Sequence, residues 1–438
     1  MNLFHWFALG FVASTCISTL AAEPTTKANI PETLQTDDKL SFTFGDETLV
    51  LPDGLQPSMF VTATGAIVVQ AQVHEKPAPS TRMKYPYDMR MVISRDGEKD
   101  WKPIPRDAFG PLNLEGGGLQ LRGGAIVALD TYVTPGASAN QGMGLLFTST
   151  DDMRTLEGPK EVPFDLPNID FYGSSDDGGH PHAAARLHRR IIELPNGDLL
   201  ATMYGLIQGD HTPCPYQPKM MKSRSMLVRS SDRGLHWKLV STIAVDPKVG
   251  TEGFGEPVIC RISKGPNAGR LICFMRTGRE LFEATSDDEG ATWSKPAPRV
   301  FADLDIYRTE KWIEQFSKFK GMDGKPLSES PDDLPGAVVD PDLIELRSAF
   351  GVRIPQKLCW RDPTHPWNGN YLAFSTDHGK TWPTVVRMTS GVLTTHYMAI
   401  EELPKDNRLF VAYDLGGWSK GMNRDVYGRT LEISLKRF

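Results

Sequence analysis

Apolar residues in this chain come in paired runs of strand length rather than at helical spacing. MFVTATGAIVVQAQ from Met59, LQLRGGAIVALDTY from Leu119 and IIELPNGDLLATMYG from Ile191 each hold two apolar stretches around a short turn. Three more pairs begin at Pro257 (PVICRI, then RLICFMR), Leu343 (LIELRSAFGVRIPQKLCW) and Met398 (MAIEELPKDNRLFVAYD). Runs of this length, broken by Gly, Pro, Asn and Asp, predict β-hairpins.

In the clearest units a third strand follows and enters a fixed phrase, Ser-x-Asp-x-Gly-x-x-Trp. It reads SSDRGLHW at Ser230–Trp237, SDDEGATW at Ser286–Trp293 and STDHGKTW at Ser375–Trp382. SRDGEKDW from Ser94 is a frayed copy with its Gly one place early, and STDDMRTL from Ser149 is poorer still. Six strand pairs with a signature per unit predict an all-β, six-bladed β-propeller of four-stranded blades. In that fold Asp and Gly shape the hairpin between the third and fourth strands, and Trp tucks into the blade. Serine-to-serine spacings of 55, 81, 56 and 89 reveal inserted loops, above all Pro159–Arg186 and Phe301–Asp340. Long loops on a rigid β scaffold are where binding concentrates.

Composition narrows the partners. The chain has 438 residues, 40% hydrophobic and 23% charged, and its net charge of −6 argues against nucleic acid as the main partner. The start, MNLFHWFALGFVASTCISTLAAEP, has an apolar run and then small residues ending at Ala21-Ala22, which predicts a signal peptide over 1–22 and a secreted or periplasmic protein. Residues 23–39 read as linker and 40–438 as the propeller. No later segment is apolar over the ~18 residues that a membrane span needs, so stable membrane insertion is not expected. Past the leader stand Cys214, Cys260, Cys273 and Cys359, too few for a disulfide scaffold. Cys260 and Cys273 could face each other across a hairpin centred near Pro266-Asn267, although free thiols are the expectation. No C-x-x-C or H-E-x-x-H is present, and no cofactor is called for.

The phrase and its six-unit setting resemble the sialidase superfamily, over roughly residues 40–438 and most strongly from Glu193 onward. The phrase speaks for fold and not for activity. Other residues carry the functional resemblance. Tyr397, followed after six residues by Leu403-Pro404 and later by Tyr413-Asp414, matches the family's nucleophile segment. Glu256, directly before PVICRI, stands where the family has the Glu that takes the tyrosine's proton. Arg276 and Arg361 stand where substrate-binding arginines do. The resemblance thus implies a hydrolase that releases a terminal acidic sugar from a glycan. A Tyr nucleophile avoids pushing a carboxylate at an anomeric carbon that itself bears one, and guanidinium suits the substrate carboxylate.

Two family features are missing. Leu55-Gln56-Pro57 occupies the place of Arg-Ile-Pro, and no Asp lies between Asp53 and Asp88 to serve as acid/base. Stand-ins are sought in the third unit: Arg190 for the arginine and Asp210 for the acid, with His180 and His182 in the neighbouring loop as further substrate contacts. Arg190 and Asp210 would equally suit structural ion pairs. Two other functions stay open: a uronate-polysaccharide lyase or other glycosidase on the same scaffold, and a glycan-binding propeller without catalysis.

Overall fold

The paired runs fold as antiparallel hairpins, with Met59 opposite Val69, Cys260 opposite Ile272 and Ala399 opposite Ala412. The computed structural model describes residues 31–35, 39–73, 87–172, 175–176, 180–181, 183–214, 217–278, 281–299, 340–347, 351–354, 357–358, 369–405, 407–417 and 423–435. Among them a set of four antiparallel strands recurs, first as Gly54–Val61, Ile67–Val73, Asp88–Ser94 and Trp101–Ile104. The first strands of the successive sets are Gly54–Val61, Gly118–Gln120, Ala185–Glu193, Gly255–Arg261, Asp342–Glu345 and Met398–Glu402. Each touches the next, and the last touches the first. The sheets are therefore arranged as a propeller around a central axis. One feature departs from a set of separate blades: Glu157–Asp165 pairs in parallel with Trp237–Ala244, which fuses the second and third sets into one ten-stranded sheet.

Closure uses both ends of the chain. Leu40–Phe44 pairs with the C-terminal strand Arg424–Leu435, from Leu40 opposite Leu435 to Phe44 opposite Leu431. Part of the expected linker is also built in, because Glu32–Gln35 pairs with Thr384–Arg387 as an edge strand. Its alternation of polar and apolar residues is short enough to pass for linker. The expected signal peptide, residues 1–22, lies outside the described residues.

Apolar packing sits between neighbouring sets. Phe60, Val68 and Met91 of the first meet Leu114, Ile126 and Phe147 of the second. Val258, Ile272 and Phe274 of the fourth meet Leu343, Tyr371 and Val385 of the fifth. A blade is thus covered on both faces, which is why runs such as LICFMR are nearly continuously apolar instead of alternating. Each buried Leu or Phe contributes about 1.5–3 kcal/mol, spread around the ring.

The cysteines do not bridge. Cys260 lies opposite Ile272 and Cys273 opposite Ile259, so the register is one residue away from facing them. A one-residue offset sends side chains to opposite faces of the sheet. Cys214, Cys260 and Cys273 are free and buried, and burial pushes the Cys214 and Cys260 thiols up to about 12. Among the described residues no helix is long and apolar enough to cross a membrane.

The repeated phrase makes the same hydrogen bonds wherever it occurs. Ser230 Oγ donates to Asp232 Oδ1 at 2.7 Å, the Gly234 amide donates to Ser230 Oγ at 2.8 Å, and Trp237 Nε1 donates to the Gly234 carbonyl at 3.0 Å. The copies at Ser286 and Ser375 repeat the serine–aspartate bond at 2.8 Å in both. Two consecutive residues take positive φ in every copy: Arg233-Gly234, Glu289-Gly290, His378-Gly379, and in the frayed ones Gly97-Glu98 and Asp152-Met153. Fraying therefore changes residue type and keeps the turn.

Candidate functional site

Each first strand carries a residue of positive φ at or near its entry or, in Ala185–Glu193, midway along it. These are Gln56 (φ 56°), Gly117 (106°), Arg189 (64°), Glu256 (42°), Asp340 (51°) and His396 (71°). Register shifts between Leu55 and Ser58, Leu187 and Ile191, and Gly255 and Val258 mark three of them as bulges. A bulge re-aims a side chain that a regular strand would turn into the sheet. Pro57, Pro257 and Pro341 follow three of these residues, where the ladder is already interrupted. Of these six residues, Arg189, Glu256 and Asp340 bring their side chains together.

There Tyr397 Oη donates to Glu256 Oε1 at 2.9 Å. Arg276, at the end of its strand, donates through Nη1 to the same oxygen at 2.6 Å and reaches Tyr397 Oη at 3.4 Å. The other side of that guanidinium is held by Glu252, with Nε 2.8 Å from Oε2 and Nη2 3.0 Å from Oε1. The second oxygen of Glu256 accepts from the Asp340 backbone amide at 2.7 Å.

A second layer lies behind this pair. The Asp340 carboxylate is gripped by both ends of the Arg189 fork, with Nε 2.7 Å from Oδ1, and lies 3.3 Å from His188 Nε2. It also accepts from the amide of Met398, the residue after Tyr397, at 3.2 Å. Arg189 Nη1 donates to the Pro57 carbonyl at 3.0 Å, and Arg186 pairs with Glu115 at 2.6 Å. Buried charges of this kind persist only when paired and hydrogen-bonded.

The environment sets the protonation states. Burial alone would raise the Glu256 carboxyl, but Arg276, His188, the Asp340 amide and the Tyr397 hydroxyl outweigh it and hold it well below the usual carboxylate range. Burial, and then the Glu256 charge, push the Tyr397 phenol well above its ordinary value, with Arg276 pulling the other way. Burial also raises Asp340, against Arg189 and His188. At neutral pH the site therefore holds a neutral phenol donating to a carboxylate, so a proton can pass directly from one to the other.

His188, Glu256 and Asp340 are the grouping among the described residues with ligand atoms close enough for a metal, within 4.8 Å of one another. Both carboxylates already face an arginine, so the cluster offers a cation little uncompensated charge.

Of the residues singled out in the sequence, Tyr397, Glu256 and Arg276 come together. Arg190 does not join them: its fork is bidentate on Asp342 at 2.6 and 2.7 Å, and it also binds Glu401 and the Ile400 carbonyl, tying strands of different sets. The bulge turns the preceding arginine, Arg189, inward instead. Asp210 is also committed elsewhere, bidentate with Arg224 at 2.6 Å on both oxygens and accepting from the Ile207 amide at 2.9 Å. Its carboxylate closes its own turn. His180 belongs by its backbone to the two-residue strand His180–Pro181. Its side chain, His182 and Arg361 lie outside the described residues.

No family model matches the chain, and no curated protein does. Solved structures do. A protein of unknown function from Dyadobacter fermentans superposes on 92% of this chain and 99% of its own, with a TM-score of 0.57 at 18% identity. NanB sialidase from Streptococcus pneumoniae matches 90% of this chain and 71% of its own, with a TM-score of 0.52 at 12% identity. The fold is that of the sialidase-type propellers. It is not confined to sialidases: the α-L-arabinofuranosidase Arb93A from Fusarium graminearum matches 88% of this chain and 97% of its own, with a TM-score of 0.53 at 12% identity. At such identities the sialidase-type likeness concerns the fold.

Sequence reasoning missed Glu252, Asp340, Arg189, His188 and Glu115. One signal was present: a polar residue followed by Pro opens three first strands, as Gln56-Pro57, Glu256-Pro257 and Asp340-Pro341. Aligned on Glu256, that pattern reaches Asp340.

Proposed function

We propose that the protein is an exo-acting glycoside hydrolase of the sialidase type, with Tyr397 as nucleophile and Glu256 as the base that takes its proton. The observation that carries this is the 2.9 Å hydrogen bond from Tyr397 Oη to Glu256 Oε1, with Arg276 on the same oxygen. A neutral phenol can approach an anomeric carbon that bears a carboxylate, where a carboxylate nucleophile would meet like charge. As Tyr397 bonds to that carbon its proton passes to Glu256, so no free phenolate has to form in a site that disfavours one. A covalent glycosyl–tyrosine intermediate then predicts retention of anomeric configuration.

The substrate on this account is a terminal acidic sugar of the sialic acid type, with Arg276 and Arg361 as the carboxylate clamp. The leader over 1–22 would deliver the enzyme outside the cytoplasm, where such glycans are met. Release of 4-methylumbelliferone from its α-sialoside tests the reading, with Tyr397→Phe run beside the wild type. Release that collapses in the variant supports it. A folded wild-type protein that releases nothing overturns the sialic acid assignment.

A further inference from the structure

No Asp stands at the first-blade place of the family's acid, and Asp210 is committed to Arg224, so among the described residues the proton donor to the leaving group has to be sought elsewhere. We propose that Glu252 is that general acid/base, and that the substrate's carboxylate switches it on by displacing it from Arg276; this rests on the nucleophile–base reading above.

Glu252 is placed with care. Its amide donates to the Thr277 carbonyl at 3.2 Å, and its carbonyl accepts from the Ser223 amide at 2.9 Å, so its backbone is pinned between two neighbouring sets of strands. Gly253 follows at φ 75°, and a Cβ there would lie 2.4 Å from the Ser223 carbonyl oxygen, so only Gly permits this close approach. Lys222 Nζ donates to the carbonyls of Pro247, Val249 and Gly250 and holds the run-in to the loop. The side chain keeps about one fifth of its surface exposed, as does that of Arg276, whereas Asp340 is closed to solvent. Glu252 is thus an open carboxylate separated from Glu256 by the width of one guanidinium.

That guanidinium is the group expected to receive the substrate's carboxylate. Glu252 lies along the Nε–Nη2 edge of that fork, hydrogen-bonded to Nη2 at 3.0 Å and 2.8 Å from Nε, so a substrate carboxylate that takes the same edge must push it aside. Binding therefore exchanges one carboxylate for the other. Once displaced, the Glu252 carboxyl is free to serve the leaving group as acid and then the attacking water as base. The steps balance. Tyr397 Oη bonds to the anomeric carbon and its proton goes to Glu256, while the glycosidic C–O bond breaks and its oxygen takes the proton of Glu252. Next, Glu252 removes a proton from water, whose oxygen bonds to the anomeric carbon. The C–O bond to Tyr397 then breaks, and Glu256 returns its proton to the phenolate.

The test compares leaving groups in Glu252→Gln, Tyr397→Phe and the wild type. On 3′-sialyllactose, whose leaving alcohol needs protonation, Glu252→Gln should lose about 10²–10⁴-fold in kcat. On 4-methylumbelliferyl α-sialoside, whose phenolate leaves unaided, the loss in the same step should be no more than about tenfold. The basic limb of the pH profile on sialyllactose should also disappear. Equal losses on both substrates in a folded variant, with Tyr397→Phe inactive on both, overturn the role of Glu252 and leave the nucleophile–base pair standing. A wild type that turns over neither substrate overturns both. Glu252→Asp, which keeps a carboxyl, should recover part of the sialyllactose activity; failure to do so while Glu252→Gln retains it would again count against the role.

Discussion

Two backbone devices recur around this propeller, and they treat sequence in opposite ways. The Ser-x-Asp-x-Gly-x-x-Trp hairpin joins third to fourth strands and repeats its residues along with its turn. The bulge of the first strands repeats its left-handed φ and little else, presenting Gln56, Gly117, Arg189, Glu256, Asp340 and His396 in turn. Strand alternation puts these devices at opposite ends of the axis. The hairpin keeps its residues because its hydrogen bonds are local and the same bonds are needed at each copy. Three of the bulge positions, Arg189, Glu256 and Asp340, hold side chains that meet at one centre, where each supplies a different chemical part. Uniformity marks the scaffold, and divergence on a uniform backbone marks the site.

The contrast can be broken most severely at the bulge end. Tyr397→Phe should lower kcat on a cleavable sialoside by about 10³-fold or more with an unchanged melting temperature, because it removes the nucleophile and little packing. At the hairpin end the pattern should invert. Trp237 is fully buried and stacks on Phe164 at 5.8 Å, so Trp237→Ala should cost about 3–5 kcal/mol in denaturant unfolding while the folded fraction keeps its activity.

Asp340→Asn lies between these extremes. It weakens the grip of Arg189 and loosens the strand that carries Tyr397, so kcat/KM should fall about 10–100-fold, as expected for slight misplacement of a reacting group. A pH series sharpens the same point. The folded protein holds Glu256 below its unfolded value, so its ionised form contributes stability above pH ~4.5 that is lost as the pH falls through the folded value. Glu256→Gln should therefore cost most near neutrality and progressively less in acid, seen as a flatter curve of stability against pH. The smallest effect belongs to Arg233, an exposed non-glycine at φ 62° in the hairpin turn. Arg233→Gly should stabilise by about 0.5–1 kcal/mol, the relief of its Cβ outweighing the freedom that Gly adds to the unfolded chain.

The same contrast explains what the sequence disclosed. The hairpin phrase was readable because identical local bonds select identical residues, and with the six strand pairs it pointed to the propeller. Tyr397, Glu256 and Arg276 were readable because their segments resemble a known family. Arg189 was not, because a bulge shifts the phase by one residue: on a regular strand Arg190 would face inward, and in the protein it ties Asp342 to Glu401. Cys260 and Cys273 are free, as expected, because the same unit of register keeps them from facing each other. Glu252 carried no local signal, since its placement depends on Thr277 and Ser223, each some 25 residues or more away along the chain. Glu32–Gln35 looked like linker because pairing with Thr384–Arg387 crosses some 350 residues of chain.

In the proposed mechanism Tyr397 attacks the sugar and carries it as a covalent intermediate. Incubation with 2,3-difluorosialic acid, followed by intact mass measurement and peptide mapping, would trap that intermediate. One adduct of the fluorosugar is expected, located on Tyr397 and absent from Tyr397→Phe. An adduct on a carboxylate such as Glu252, or none while a sialoside is being hydrolysed with inversion, would contradict that mechanism.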